Sequence, residues 1–199
     1  GWELLKLTQQ ITEGNAHKGN IVSVGQLLVE ARVYQAIMQA ITPFCWEAVR
    51  RGVGQGGQPD QEMVRTIGID LLVIRFAGMV FVFVIEINGR GTAAKYVCSF
   101  AEQAAPRFGG TCSVIMENTE IPKGMGHEDL IRHRVNGMVY DGTSRPGIVP
   151  GNPGCWRGSG KATLFFVGAN RDQAEGVRHR YHDRLHRIKT QRNRIYLPF

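Results

Sequence analysis

Asp70 and Glu86, sixteen residues apart, carry the chemistry that this sequence suggests first, and Glu86 lies in the string Ile85-Glu86-Ile87-Asn88. A carboxylate at the start of one strand and another on its neighbour can converge at the edge of a sheet and hold Mg²⁺, a hard ion that calls for oxygen ligands. Such an ion activates water and neutralises the charge that builds on a phosphodiester in its transition state, which is nuclease chemistry. Glu86 lies inside an apolar run, Val80 to Ile87, where a carboxylate is costly unless it is paired or ligated. The purely structural alternative has Asp70 capping a turn and Glu86 paired with Arg75 or Arg90.

Positioning these groups requires particular elements. Ser23 and Gln26 have the spacing of a capping box, and Val24, Leu27, Leu28, Ala31, Tyr34, Met38 and Ile41 follow at helical spacing, so a helix is expected from Ser23 until Pro43 ends or kinks it. A short helical piece, Phe44 to Arg51, then meets a glycine-rich loop, Gly52 to Gly57. Ile67 to Phe76 and Val80 to Asn88 read as two strands, the second apolar enough to be buried on both faces in the middle of a sheet. A helix from Thr92 to about Ala105 and a strand from Cys112 to Glu117 complete the order.

From Ser23 to Glu117 the chain resembles the PD-(D/E)XK nuclease superfamily, with Glu30 on the first helix, Gly68-Ile69-Asp70 on one strand and Glu86-Ile87-Asn88 on the next. The resemblance implies an α/β fold: a central mixed β-sheet flanked by helices, a restriction endonuclease-like core, here followed by a C-terminal strand and basic helix. It further implies that Asp70 and Glu86, with Glu30 as an outer member, bind Mg²⁺ and that Asn88 stands where the family usually has a water-orienting Lys. Lys95 on the following helix is the candidate substitute for that Lys. Ile69 also replaces the Pro that commonly precedes the Asp.

The remaining motifs are weaker. His182 and His186, four apart, suggest a Zn²⁺ pair with Cys155 or His179, yet no second ligand pair accompanies them, and they read as solvated or near phosphates. His127, Glu128, Asp129 and His133 form a polar cluster of a kind common in loops. Gly52, Gly54 and Gly57 match GxGxxG but follow a helix rather than a strand, and Gly158-Ser159-Gly160-Lys161 lacks the Ser or Thr and the helix of a P-loop, so neither supports a nucleotide cofactor.

The formal net charge is +7, and from Arg171 to Phe199 eight Lys and Arg stand against three Asp and Glu. That segment reads as a helix to about Thr190, with Val177, Tyr181, Leu185 and Ile188 as its apolar stripe and Arg180, Arg184 and Arg187 on another face. Guanidinium forks match phosphate oxygens, so this face is the expected contact with DNA or RNA. A structural reading competes with catalysis: a coat, nucleoprotein or ribonucleoprotein subunit in which the Arg face binds phosphate and no chemistry occurs. The Gly- and Pro-rich loops of 118–160 would then make the subunit contacts of a homo-oligomer.

At 199 residues one domain is expected, since a chain of this size buries roughly 70% of its unfolded surface without disulfides. Its parts are a core of about 23–117, the loop region 118–160 (with a short helix near Glu128 to Val135), and a strand, Ala162 to Val167, with the basic helix in 161–199. Four cysteines without a CxxC pair suggest a reducing, intracellular compartment. No secretion signal opens the sequence, and Asp70, Arg75 and Glu86 interrupt its most apolar stretch, so neither secretion nor a membrane span is expected.

Overall fold

β-Branched and aromatic residues dominate 68–76 and 79–88, and only Ala77 and Gly78 separate them, so the chain must turn back on itself there as a hairpin. The computed structural model describes residues 4, 6–14, 16–26, 29–51, 67–88, 93–121, 126–135, 137–152 and 156–195. In chain order the elements are β1 (Thr8–Glu13), β2 (Ala16–Val24), α1 (Ala31–Arg50), β3 (Gly68–Phe76), β4 (Met79–Asn88), α2 (Ala93–Ala104), β5 (Cys112–Glu120), α3 (His127–Leu130), β6 (Gly147–Gly151), α4 (Trp156–Ser159), β7 (Lys161–Gly168) and α5 (Arg171–Ile195). A 3₁₀ turn extends α2 through Phe108, and a π turn extends α3 through Val135. By its internal contacts the chain divides into two compact units, Gly1–Leu7 with Leu27–Tyr96 and Thr8–Gln26 with Val97–Phe199.

In the first unit α1 lies on the β3–β4 hairpin. Val33, Ile37, Ile41 and Cys45 recur at helical spacing and pack against Ile69, Leu71 and Val73 of β3 and Val80 and Val82 of β4. The alternate residues, Leu72, Ile74, Phe76, Met79, Phe81, Phe83 and Ile85, are exposed on the other face. The expectation that β4 is buried on both faces in mid-sheet is therefore corrected: β3 and β4 form a sheet of two strands with one covered face. The apolar run of β4 records an inward row of valines and an outward row of Met79, Phe81, Phe83 and Ile85.

Two other expectations change here. Ser23 does not cap a helix; it lies in β2, and its hydroxyl meets that of Ser113 at 2.8 Å, while Gln26 Nε2 donates to the same Ser113 oxygen at 2.8 Å. Gly25, at φ 72°, ends this strand segment where a Cβ would lie 2.6 Å from the Gly110 carbonyl oxygen, so only glycine fits. Pro43 does not end α1 either. Both it and Gln39, whose carbonyl loses its helical donor, are exposed, so water can satisfy that carbonyl while the packed face runs on.

The second unit holds a five-stranded sheet in the order β1-β2-β5-β7-β6. Every strand pair in it is antiparallel, so the mixed sheet expected from the sequence is corrected. The chain re-enters each neighbouring strand from the same end, as antiparallel pairing requires. One face carries Val22, Val114, Met116 and Val167 against Val97, Ala101, Ala104 and Phe108. On the other, Ile115, Leu164 and Phe166 lie with Ala174, Val177 and Tyr181 of α5, all fully buried. Full burial of a side chain such as Val177 contributes about 1.5–3 kcal/mol. Among the described residues no helix is long and apolar enough to cross a membrane.

Candidate functional site

Asp70 and Glu86 are cross-strand partners. The register runs regularly from Phe76 opposite Met79 to Leu71 opposite Val84, then skips Ile85, so that Asp70 faces Glu86 and Gly68 faces Asn88. Strict alternation would put Glu86 on the α1 side with Val82 and Val84; the bulge at Ile85 turns it to the open face, beside Asp70. Paired residues in antiparallel strands have Cβ atoms about 4.5–5.5 Å apart. Two carboxylates at that spacing can both reach one ion at the roughly 2.1 Å of a Mg–O bond.

Asn88 follows Glu86 by two residues and shares its face, opposite a glycine that has no side chain to crowd it. Asp70 is half-buried and Glu86 exposed, so the cost of burying a carboxylate in this strand does not arise. The donor set is all oxygen, as Mg²⁺ prefers, and its open side leaves coordination positions for water and phosphate. Among the described residues no group of three or more His, Cys, Asp and Glu is placed to hold a metal, so the carboxylates stand as a pair.

Glu30 is not brought to that pair. It immediately precedes α1, where its Oε1 accepts from Arg75 Nη1 at 2.9 Å. Arg75 lies five residues along β3 from Asp70, about 16 Å at strand rise. Lys95 is exposed on α2. Arg75 thus has a carboxylate partner, but it is Glu30 rather than Glu86; Arg90 lies outside the described residues.

On α5, Arg180 is exposed and Arg184 half-buried; the side chain of Arg187, like that of Ile188, lies outside the described residues. Val177 and Tyr181 dock as the stripe predicts. The histidines do not simply face solvent opposite it: His182 turns toward the sheet, with Nε2 2.9 Å from Glu117 Oε1. Nε2 is buried, and the approach is out of line for a full hydrogen bond, so the contact is electrostatic. Cys155 and the side chains of His127 and His133 lie outside the described residues.

Glu117, which motif reading passed over, is a buried carboxylate on a central strand. It is buried on β5, the middle strand, between His182 and the Arg178 guanidinium, whose Nε donates to Glu117 Oε2 while its Nη1 donates to Glu175 Oε2 at 3.2 Å. Burial pushes its carboxyl up, but His182 and Arg178 together more than offset that and hold it below the usual carboxylate range. The readable signal was Arg178 and His182, four apart on an amphipathic helix. Comparison with protein-family models finds no match, and comparisons with curated proteins and with solved structures find none either.

Proposed function

We propose that the protein is a divalent-cation-dependent enzyme of phosphate chemistry that acts on nucleic acid, with Asp70 and Glu86 as the protein ligands to Mg²⁺. The observation that carries this reading is the bulged register, which sets two carboxylates opposite one another on an open face and adds an amide beside them. Asn88 would take part through its oxygen, on the ion or on a water attached to it. The relation to the PD-(D/E)XK superfamily is part of the same proposal, supported by this carboxylate pair on adjacent strands. Because an amide supplies no positive charge to a developing hydroxide, hydrolysis should be slow relative to binding.

The basic helix α5 supports the choice of nucleic acid, since Arg180 is exposed on it and an exposed guanidinium is the usual phosphate contact. The test is incubation of the full chain with plasmid DNA and with single-stranded RNA, in Mg²⁺ or Mn²⁺, beside Asp70→Ala and Glu86→Ala. Metal-dependent cleavage that both variants lose is the expected result. The second reading, a structural subunit without chemistry, rests on the same exposed Arg180. It would show as binding without cleavage, unchanged by chelator and by Asp70→Ala, with Arg180→Ala lowering the salt slope by about one.

A further inference from the structure

The open face of the β3–β4 hairpin is apolar from the turn to the bulge. Its ladder pairs run Phe76 opposite Met79, Ile74 opposite Phe81 and Leu72 opposite Phe83, and each of these side chains keeps between 39% and 69% of its surface exposed. At roughly 200 Å² for a large side chain, and with Ile85 beside them, they present about 700–800 Å² of apolar surface on one face of two strands. The largest apolar patch on a typical monomer is about 300–600 Å², whereas one side of a standard protein–protein interface is about 800 Å². The other face of the hairpin is already filled by α1.

We propose that this face is a dimer interface, on which a second copy of the chain packs its own β3–β4 face, sheet against sheet. The area matches what a stable dimer needs from each partner. Between the turn and the bulge the outward row holds no charged or polar residue, so it offers nothing to phosphates. Elements that lie on membrane surfaces carry Lys and Arg beside their apolar face, but this patch is bounded by the carboxylates of Asp70 and Glu86. An identical face meets it without burying an unpaired charge, and a two-fold dimer, the commonest soluble oligomer, needs one such patch per copy. With the two-fold axis across the strands, the two Asp70–Glu86 pairs fall at opposite ends of the interface; with the axis along the strands, four carboxylates would meet. The first arrangement avoids that repulsion and leaves each pair at the rim.

The test is sedimentation velocity of the full chain over a range of concentrations, in chelator and without nucleic acid. A dimer with a micromolar or tighter Kd is expected, as for interfaces of this area. Phe83→Glu and Ile74→Glu each place a charge in the middle of the patch and should raise Kd at least about 30-fold, the threshold of an interface hot spot. Far-UV circular dichroism should match the parent, because both positions face outward in a single copy. If either variant does not fold, Phe83→Ser and Leu72→Ser decide. Arg180→Ala, on α5, should leave Kd unchanged. A parent that is monomeric at about 100 μM, well above the micromolar limit of such interfaces, overturns the assignment, and so does a dimer that the hairpin variants do not weaken. A parent that stays monomeric and floats with phosphatidylcholine vesicles would give the face to lipid instead.

Discussion

Asp70 stands directly across from Glu86, although the alternation of β4 on its own would set Glu86 on the opposite side of the ribbon. Like charges placed opposite one another in a sheet destabilise it by about 0.2–1 kcal/mol. A cation shared by the pair would offset that repulsion. In chelator, Asp70→Asn should therefore melt slightly above the parent. In Mg²⁺ the order should reverse, the parent gaining about 1.4 kcal/mol at ten times Kd and the variant much less. Thermal melts in the two buffers decide it; equal Mg²⁺ stabilisation of both proteins would remove Asp70 from the site.

Ile85 tests the register from another side. It is the extra residue of the bulge, so deleting it leaves Leu71 opposite Val84 and Asp70 opposite Glu86 in a regular ladder. The deletion should keep Mn²⁺ binding, measured by water-proton relaxation. Substituting Glu86 by Ala should abolish it. Loss of binding on deletion would mean that the bulge itself shapes the site.

Glu117 makes the second unit sensitive to acid. Its carboxyl is held below the usual range in the folded chain by His182 and Arg178, so its contribution is fully present above the unfolded value, about 4.3, and is lost as pH falls through the lower folded value. Denaturant melts should show stability dropping from about pH 4.3 downward, with Glu117→Gln flattening that drop. Arg178→Leu leaves the buried carboxylate without its guanidinium and should cost about 3–5 kcal/mol at neutral pH. A pH profile identical in Glu117→Gln and the parent would place the acid sensitivity elsewhere.

What the sequence disclosed depended on how local the cause was. The β3–β4 pair, α2, β7 and α5 follow from short-range periodicity and turn residues, and their bounds lie within a few residues of expectation. Ser23 was misread because Ser-x-x-Gln before an apolar row satisfies a helix rule. The deciding contact, with Ser113 on β5, comes from ninety residues away. The side on which Glu86 lies was hidden for a related reason, since a bulge is a property of two paired strands and leaves no mark in one. Glu30 looked like a third ligand by helix position, and only the hairpin register showed Arg75 to be its neighbour.

Ala77 is the weak point of the hairpin that carries the carboxylates. It and Gly78 form the two-residue loop, with φ of 49° and 75°, as a turn whose twist matches that of the strands requires. Glycine takes that conformation without strain, but alanine sits there at a cost of about 1–2 kcal/mol. Asparagine tolerates it better because its short amide can bond locally, and Asn-Gly is the preferred pair for such turns. Ala77→Asn should stabilise the first unit by about 0.5–1 kcal/mol and slow amide exchange along β3 and β4 without altering Mg²⁺ affinity. Ala77→Val, β-branched and worse at positive φ, should do the reverse. If hydrogen exchange finds both substitutions neutral, the loop does not adopt this turn, and the register that sets Asp70 against Glu86 loses its anchor.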